Sequence, residues 1–244
     1  MKKEFKRQIR ENEFKTGVDH AVDWLRTHAD QLRVVLIVGV VAGGLLLGLS
    51  TFRAQRLRSA EAGLAAARET FDAPVLDELA EGAERPAGPS FATSEEKYKQ
   101  ALVAFDGVAR QWPSLAAGRR ARYYAALCRI ELGDFQNARA ALEELQARRD
   151  ESPLEAALAR VALADLERRS GELKKAIDSY RQMADDGAFP LPRDYALMKL
   201  ASAQEEAHQG PEAGASYRRV VEEFPQSVYA AEARRRLDFL KAGA

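Results

Sequence analysis

The residue types that most often carry chemistry are sparse in this sequence. Its 244 residues include three histidines and one cysteine, namely His20, His28, His208 and Cys128. No HExxH pattern, zinc-ligand spacing or glycine-rich phosphate loop accompanies them. We therefore expect no catalytic residue, no metal site and no cofactor. Cys128 is interpreted as a small core side chain, and His208 as a helix-end residue in favourable contact with the helix dipole.

Charge and composition narrow the function classes further. Lys and Arg total 37, and Asp and Glu also total 37, so the formal net charge is zero. Proteins that bind nucleic acid usually carry a basic excess, so we expect no nucleic-acid partner. Ala, Leu, Glu and Arg dominate after residue 53, and these residues favour helices. Because period-two runs of β-branched residues are absent, the sequence predicts an all-α fold.

One uncharged stretch of 19 residues, 34–52, reads VVLIVGVVAGGLLLGLSTF. As a helix it would be about 28 Å long, close to the hydrocarbon thickness of about 30 Å. A cleaved signal peptide fits poorly, because 33 residues precede the stretch and no small-x-small site follows it. The alternative is a buried core helix, but the sequence favours a single transmembrane helix over 34–52 that contacts lipid.

The same stretch contains two pairs of glycines with a small-xxx-small spacing. The pairs are Gly39/Gly43 and Gly44/Gly48. Such spacing lets two helices approach closely in lipid. We interpret these four residues as a packing face, either for a homodimer or for a partner's membrane helix.

Residues 1–33 form an N-terminal segment with an apolar stripe at helical spacing. The stripe consists of Phe14, Val18, Ala21, Val22, Leu25, Ala29 and Leu32. This amphipathic helix either lies on lipid headgroups or docks on a partner. Basic residues flank the membrane stretch on both sides, so the positive-inside rule does not fix the orientation.

Four segments further along the chain repeat one pattern of small and large residues. Its alanines are Ala101, Ala138, Ala176 and Ala213, at spacings of 37, 38 and 37. A large residue follows four positions later, at Phe105, Leu142, Tyr180 and Tyr217. Another follows three positions after that, at Val108, Leu145, Met183 and Val220. The small residue lets two antiparallel helices approach, and the large ones fill the space beside it.

The helices that precede these segments supply the partner faces. Their packing residues are predicted to be Ala125, Ala126, Ile130, Leu163, Ala164, Leu200 and Ala201. Gly133 and Gly171 are predicted to cap tight turns between the helices of a pair. The pattern resembles tetratricopeptide repeats over about residues 95–240, although its period is three or four residues longer than usual. The resemblance implies a helical-repeat solenoid over 95–244 that binds protein.

The first unit needs a partner helix, which we place in a helical extension and linker over 53–94. The helix is expected at about 53–71, continuous with the membrane helix. Its packing face is predicted to be Ala62, Ala65, Ala66 and Glu69. Residues 72–94 are interpreted as a linker with at most a short helix near 74–81.

The overall layout resembles the ancillary subunits of the SecYEG translocon, the YfgM-like family. That resemblance implies a single-pass protein of the bacterial inner membrane with a cytoplasmic N-terminus and a periplasmic repeat domain. It also implies that SecYEG and periplasmic chaperones are partners. The alternative is a self-associating structural scaffold in envelope assembly or cell division.

The first helix of each pair would supply the concave, partner-binding surface. The predicted groove residues are Tyr123, Leu127, Ile130, Val161, Asp165, Arg168, Met198, Ser202 and Glu205. The Lys/Asn clamp by which some tetratricopeptide domains hold a carboxylate is absent, because Tyr123, Tyr124 and Leu127 stand at the matching positions. An apolar or mixed helix-in-groove mode fits better. For each residue, a place in the core between helices is the alternative.

Overall fold

The computed structural model describes residues 27, 29–78, 88–149 and 152–242. The part of the predicted amphipathic helix that precedes residue 27 lies outside the described residues. Within the described residues there are nine α-helices and one isolated bridge between Val75 and Phe91. The predicted all-α fold is therefore confirmed.

The helices follow one another with short connections. Their bounds are α1 Ala29–Asp72, α2 Ser94–Gln111, α3 Ala116–Glu131, α4 Phe135–Ala147, α5 Pro153–Arg169, α6 Leu173–Asp185, α7 Arg193–Glu206, α8 Gly210–Glu223 and α9 Ala230–Ala242. A short 3-10 helix, Leu76–Glu78, lies in the segment predicted as a linker.

The chain divides into two compact units, Met1–Arg58 and Ser59–Ala244. In the first unit, the large apolar side chains of α1 are exposed rather than packed. They are Ile37, Val38, Val40, Val41, Leu45, Leu46, Leu47, Leu49, Phe52 and Leu57. By length and composition, the helical stretch Ile37–Asp72 could cross a membrane, with a mean hydropathy of 1.7 in its most apolar window.

The second unit is built on the repeated pattern of small and large residues. All four pattern alanines, Ala101, Ala138, Ala176 and Ala213, are 0% exposed. The residues four positions later are buried as well, at Phe105, Leu142, Tyr180 and Tyr217. Each alanine removes side-chain bulk where two antiparallel helices meet, and the larger residue one turn later fills the adjoining space. The predicted packing pattern of these helices, which are the second helices of their pairs, is confirmed.

Three clusters of buried residues run along the unit and share helices. The first joins α1, α2 and α3 and contains Phe105 and Cys128. The second joins α3, α4 and α5 around Leu142. The third joins α5 through α9 around Tyr180 and Tyr217. Because α3 and α5 each contribute to two clusters, every helix pair buries its faces against its neighbours, as in a solenoid.

The end of α1 packs in the first cluster through Ala60, Leu64 and Ala67. The predicted face was wrong, because its members Ala62, Ala65, Ala66 and Glu69 are all exposed. The segment is so rich in alanine that small residues lie on every side of the helix. Leu64 and Phe71, seven residues apart, mark the side that actually packs.

The turns inside the three later pairs share one geometry. Gly133, Gly171 and His208 follow the ends of α3, α5 and α7, with φ of 77°, 80° and 59°. At each turn the next amide donates back across the helix end, as from Asp134 to the Arg129 carbonyl at 2.8 Å. This is the Schellman arrangement, in which glycine adopts the left-handed conformation without a steric penalty. Only the third turn places a residue with a Cβ there.

Trp112 closely approaches the two glycines Gly63 and Gly118. A Cβ placed on Gly118 would lie 1.9 Å from the Trp112 carbonyl oxygen, and one on Gly63 would lie 3.1 Å from the Trp112 ring. Gly118 is therefore required by the distance between backbones rather than by its own φ angle.

Gly118→Ala is expected to lower the free energy of unfolding of the full chain by at least about 2 kcal/mol, because the added methyl overlaps backbone. Urea unfolding followed by far-UV circular dichroism measures the change. The matched control is Gly107→Ala in α2, where a Cβ meets no atom within 4 Å. There the helix propensity of alanine should add about 0.5–1 kcal/mol. Equal effects of the two substitutions would contradict the assignment.

His208→Gly is expected to raise the free energy of unfolding by about 0.5–1 kcal/mol, because it relieves a left-handed backbone at a residue with a Cβ. Gly133→Ala, at the equivalent turn, should lower it by about 1 kcal/mol. Calorimetry of the two variants gives opposite shifts of Tm if the turns are equivalent. A lower Tm for both variants would show that the His208 imidazole stabilises the turn by another contact.

Candidate protein-binding groove

The first helices of three successive pairs line one cavity of about 580 Å³. Helices α3, α5 and α7 supply most of its wall, and the loops before α7 and α9 close one side. Six of the nine predicted groove residues lie together on this wall. They are Tyr123, Leu127, Ile130, Val161, Asp165 and Arg168. Ile130 and Val161 are almost fully buried, so they form its floor.

The other three predicted residues lie elsewhere. Met198 is partly buried against the third core cluster. Ser202 and Glu205 line a second cavity of about 540 Å³, together with Arg236 and Phe239 of α9. Met198, Ser202 and Glu205 lie 37 residues after Val161, Asp165 and Arg168, so they occupy the equivalent positions on α7. On α7, however, this row of side chains faces α9 instead of the first cavity.

Sequence reasoning missed the residues that α7 and the loops bring to the first cavity. They are Leu191, Pro192, Asp194, Tyr195, Lys199, Val228 and Tyr229. Each first helix presents two rows of side chains to the concave side, one facing the preceding helix pair and one facing the next pair. The predicted groove residues belong to only one of these rows. The 37-residue spacing carried the signal, because it relates Tyr195 to Leu158 and Lys199 to Ala162, which both line the cavity.

Asp165 holds the centre of the cavity wall through three hydrogen bonds. The Tyr180 hydroxyl donates to its Oδ1 at 2.6 Å, and Lys199 Nζ donates to Oδ1 and Oδ2 at 2.8 and 3.0 Å. The Lys199 ammonium also lies 5.6 Å from the centre of the Tyr195 ring. Because Tyr180 is a core residue of α6, this carboxylate ties the groove to the core beneath it.

A similar hydrogen bond between a buried tyrosine and a carboxylate occurs in the next helix pair. The Tyr217 hydroxyl donates to Glu205 at 2.9 Å, and Arg236 lies 2.9 Å from the same oxygen. Burial and the hydrogen bond to Glu205 raise the pKa of Tyr217 to about 12. The large residues of the repeat thus bond to a carboxylate of the first helix of their own pair wherever they are tyrosines.

Salt bridges connect successive first helices at their C-terminal ends. Arg169 donates to Glu131 at 2.6 Å, and Arg168 donates to Glu206 at 2.8 Å. The bond to Glu206 also raises the pKa of Arg168. Both pairs are partly exposed, so each contributes little stability and mainly fixes side-chain positions.

Three tyrosines, Tyr123, Tyr195 and Tyr229, contribute to the uncharged part of the wall. Tyr195 and Tyr229 have ring centroids 6.1 Å apart, and Tyr123 contacts Tyr124 edge-on at 5.6 Å. Burial raises the pKa of Tyr123 and of Tyr195. As tyrosine hydroxyls they are neutral at physiological pH even without this shift, and they can both donate and accept hydrogen bonds. Within the described ranges, no three His, Cys, Asp or Glu side chains are grouped to hold a metal ion.

The second predicted site is the glycine face of α1. Gly39, Gly43, Gly44 and Gly48 lie on the exposed helix, and a Cβ on any of them would meet no atom within 4 Å. The face is open within the described residues, and its role in helix packing remains a prediction.

Comparison with known proteins points to one family. The sequence matches the family described as "Tetratricopeptide repeat" over three overlapping stretches, residues 92–153, 129–191 and 162–228. Together these stretches cover more than half of the chain. No curated protein sequence matches it.

Two solved structures are similar to this fold. Both are nearly identical TPR-like repeats of a kinesin-light-chain-type protein from Podosopora anserina, and one of them carries a substitution. Each has a TM-score of 0.50 and 17% sequence identity, and covers 77% of this chain. The matched regions cover 93% and 94% of those chains. At this identity the likeness concerns the fold alone.

Asp165→Ala is expected to lower the free energy of unfolding by about 2 kcal/mol, because it leaves the Lys199 ammonium and the Tyr180 hydroxyl without their acceptor. Ser202→Ala is the matched control, since Ser202 is exposed and stands at the equivalent position one pair later. It should change stability by less than about 0.5 kcal/mol. Chemical unfolding of both variants provides the test, and a neutral Asp165→Ala would show that the network contributes no net stability.

Proposed function

The chain belongs to the tetratricopeptide-repeat family, and on that premise we propose that it is a membrane-anchored scaffold that binds another protein in the groove of its repeats. Tetratricopeptide repeats are protein-interaction scaffolds and generally lack enzymatic activity. One observation carries the proposal for the groove itself. Three first helices converge on a single cavity whose wall combines apolar and aromatic side chains with a few fixed charges. Such a wall suits a peptide or helix of a protein partner.

The membrane part of the proposal rests on the first half of α1. Its uncharged stretch matches the hydrocarbon thickness, and its large apolar side chains are exposed, as lipid contact requires. We place the span at 34–52, in a single-pass protein of the bacterial inner membrane. The N-terminus is proposed to be cytoplasmic and the repeat domain periplasmic.

The proposed partners are the SecYEG translocon and periplasmic chaperones. The layout of a short N-terminal segment, one span and a C-terminal repeat domain supports this assignment by resemblance to ancillary translocon subunits. The mixed apolar and polar wall of the groove supports a polypeptide as the bound element. The competing function is a self-associating scaffold in envelope assembly or cell division, with the glycine face of α1 as its contact.

A photo-crosslinking residue in place of Tyr123 tests the proposal in cells that produce the full chain. We expect one defined set of adducts, identified by mass spectrometry as translocon subunits or periplasmic chaperones. The matched control is the same probe at Val103, which is 71% exposed on α2 and does not line the cavity. Identical adducts from both positions, or none from Tyr123, would remove the groove from the function.

The same cells separate the remaining alternatives. A reporter fused after Ala244 should be active only outside the cytoplasm, and cytoplasmic activity would overturn the orientation and the translocon assignment. Replacing Gly43 and Gly44 by leucine should leave the Tyr123 adducts intact. If the double variant instead loses self-association, and the only Tyr123 adducts are to copies of this chain, the self-associating scaffold is the better account.

A further inference from the structure

One charged side chain that lines the first cavity, Asp194, has no partner of opposite charge among the described residues. The three cations of the lining are each paired with a carboxylate, in the salt bridges Arg168–Glu206, Arg169–Glu131 and Lys199–Asp165. Asp194 instead accepts hydrogen bonds from uncharged donors. Within the described part of the chain, the cavity therefore carries one negative charge that no cation balances.

The Asp194 carboxylate is held in place by two hydrogen bonds at the start of α7. The Tyr195 amide donates to its Oδ1 at 2.9 Å, and the Ser227 hydroxyl donates to its Oδ2 at 2.5 Å. Ser227 Oγ in turn accepts from the Tyr229 amide at 3.0 Å. Because these bonds join α7 to the loop before α9, little ordering of the carboxylate remains to be done when a ligand binds. Each oxygen keeps a lone pair for a further donor.

The position of Asp194 in the first turn of α7 compensates only part of its charge. A helix N-terminus acts as about half a positive elementary charge, so an acidic side chain there is stabilised. That effect accounts for a carboxylate at this position, but it supplies no full countercharge. The remaining charge faces a cavity, where a ligand can balance it.

Two tyrosine rings lie beside the carboxylate. The ring centroids of Tyr195 and Tyr229 are 6.1 Å apart, and both residues line the cavity. The faces of aromatic rings attract cations, and Lys199 Nζ already lies 5.6 Å from the centre of the Tyr195 ring. Over the described ranges, no cationic side chain of the chain lies above the Tyr229 ring.

An exposed apolar side chain completes this end of the groove. Val228, between Ser227 and Tyr229, is 87% exposed and lines the same cavity. A lysine or arginine side chain has an aliphatic stem and a charged head, so it can cover apolar surface and reach a carboxylate at once. A glutamate would be repelled by Asp194, and an apolar side chain would desolvate that carboxylate without pairing it.

We propose that a lysine or arginine side chain of the partner polypeptide binds here, with its charge on Asp194 and its stem against Val228 and Tyr229. This inference rests on the proposed function, because it specifies the chemistry of the polypeptide that the groove takes. Asp194 is then the residue that selects basic segments and disfavours acidic ones. Arginine is preferred to lysine, because a planar guanidinium can bond both carboxylate oxygens and stack on an aromatic ring.

The test uses the full chain in nanodiscs of phosphatidylcholine, which carries no net charge. Fluorescent, end-blocked peptides of the sequence Ser-Leu-Ala-Xaa-Leu-Ala-Ser-Gly, with arginine, glutamine or glutamate at Xaa, are titrated by anisotropy at low salt. We expect the arginine peptide to bind about tenfold more tightly than the glutamine peptide, the gain typical of one charge-assisted pair. The glutamate peptide should bind most weakly, and about 1 M salt should reduce the preference for arginine.

Asp194→Asn removes the charge and keeps the size of the side chain. It should lower the preference for arginine to about twofold or less. Asp194→Lys should reverse the order, so that the glutamate peptide binds more tightly than the arginine peptide. The matched control is Asp178→Asn on α6, a carboxylate that pairs with Arg181 and does not line the cavity. It should keep the full preference, and circular dichroism verifies that the helices of each variant are intact.

Three results would overturn the inference: equal affinities of the unmodified chain for the arginine and glutamine peptides, a preference for arginine that survives in Asp194→Asn, or tightest binding of the glutamate peptide. No binding of any peptide, together with specific adducts from Tyr123, would reject the basic anchor and leave the proposed function standing. No binding together with no Tyr123 adducts would reject both.

Discussion

The close approach of antiparallel helices at four buried alanines is the constraint on which the repeat domain depends. Ala101, Ala138, Ala176 and Ala213 have no accessible surface, so no larger side chain fits there without moving a helix. A helix of this kind cannot bury its apolar face alone, and each pair therefore requires the next. The chain of shared core clusters follows from this requirement, and the concave surface is the side of the first helices that remains uncovered.

Core and groove are connected where the repeat places a tyrosine rather than an aliphatic residue. Tyr180 and Tyr217 fill the position that Phe105 and Leu142 fill in the earlier units, and their hydroxyls reach Asp165 and Glu205. Each ring is buried while its hydroxyl ends at the concave face, an arrangement that suits an amphipathic side chain. The positions of the Asp165 carboxylate in the groove and of the Glu205 carboxylate in the second cavity are thus set by the packing of the helices that carry Tyr180 and Tyr217.

The second helix of each pair could be predicted from the sequence, because an alanine followed four positions later by a large residue recurs there at a regular spacing. The end of α1 could not, because Ala60, Ala62 and Ala67 look alike in sequence although only the first and last are buried. Six of the nine predicted groove residues line the first cavity and three do not. Sequence spacing identifies equivalent positions in the repeats, but it does not show which row of side chains on a helix faces the next helix pair. The left-handed turn at His208 could not be predicted from the sequence either, because histidine adopts a positive φ far less often than glycine does.

The backbone strain at His208 also has a consequence for local stability. In a solenoid, stability is a sum of local terms and nearest-neighbour interfaces, so strain at one turn is not shared evenly along the chain. Among the three turns within helix pairs, we therefore expect the one at His208 to open at the lowest cost in free energy. Val228 and Tyr229, which follow this turn in the chain, line the same cavity as α5 and α7, so a ligand bound there also suppresses local opening at His208.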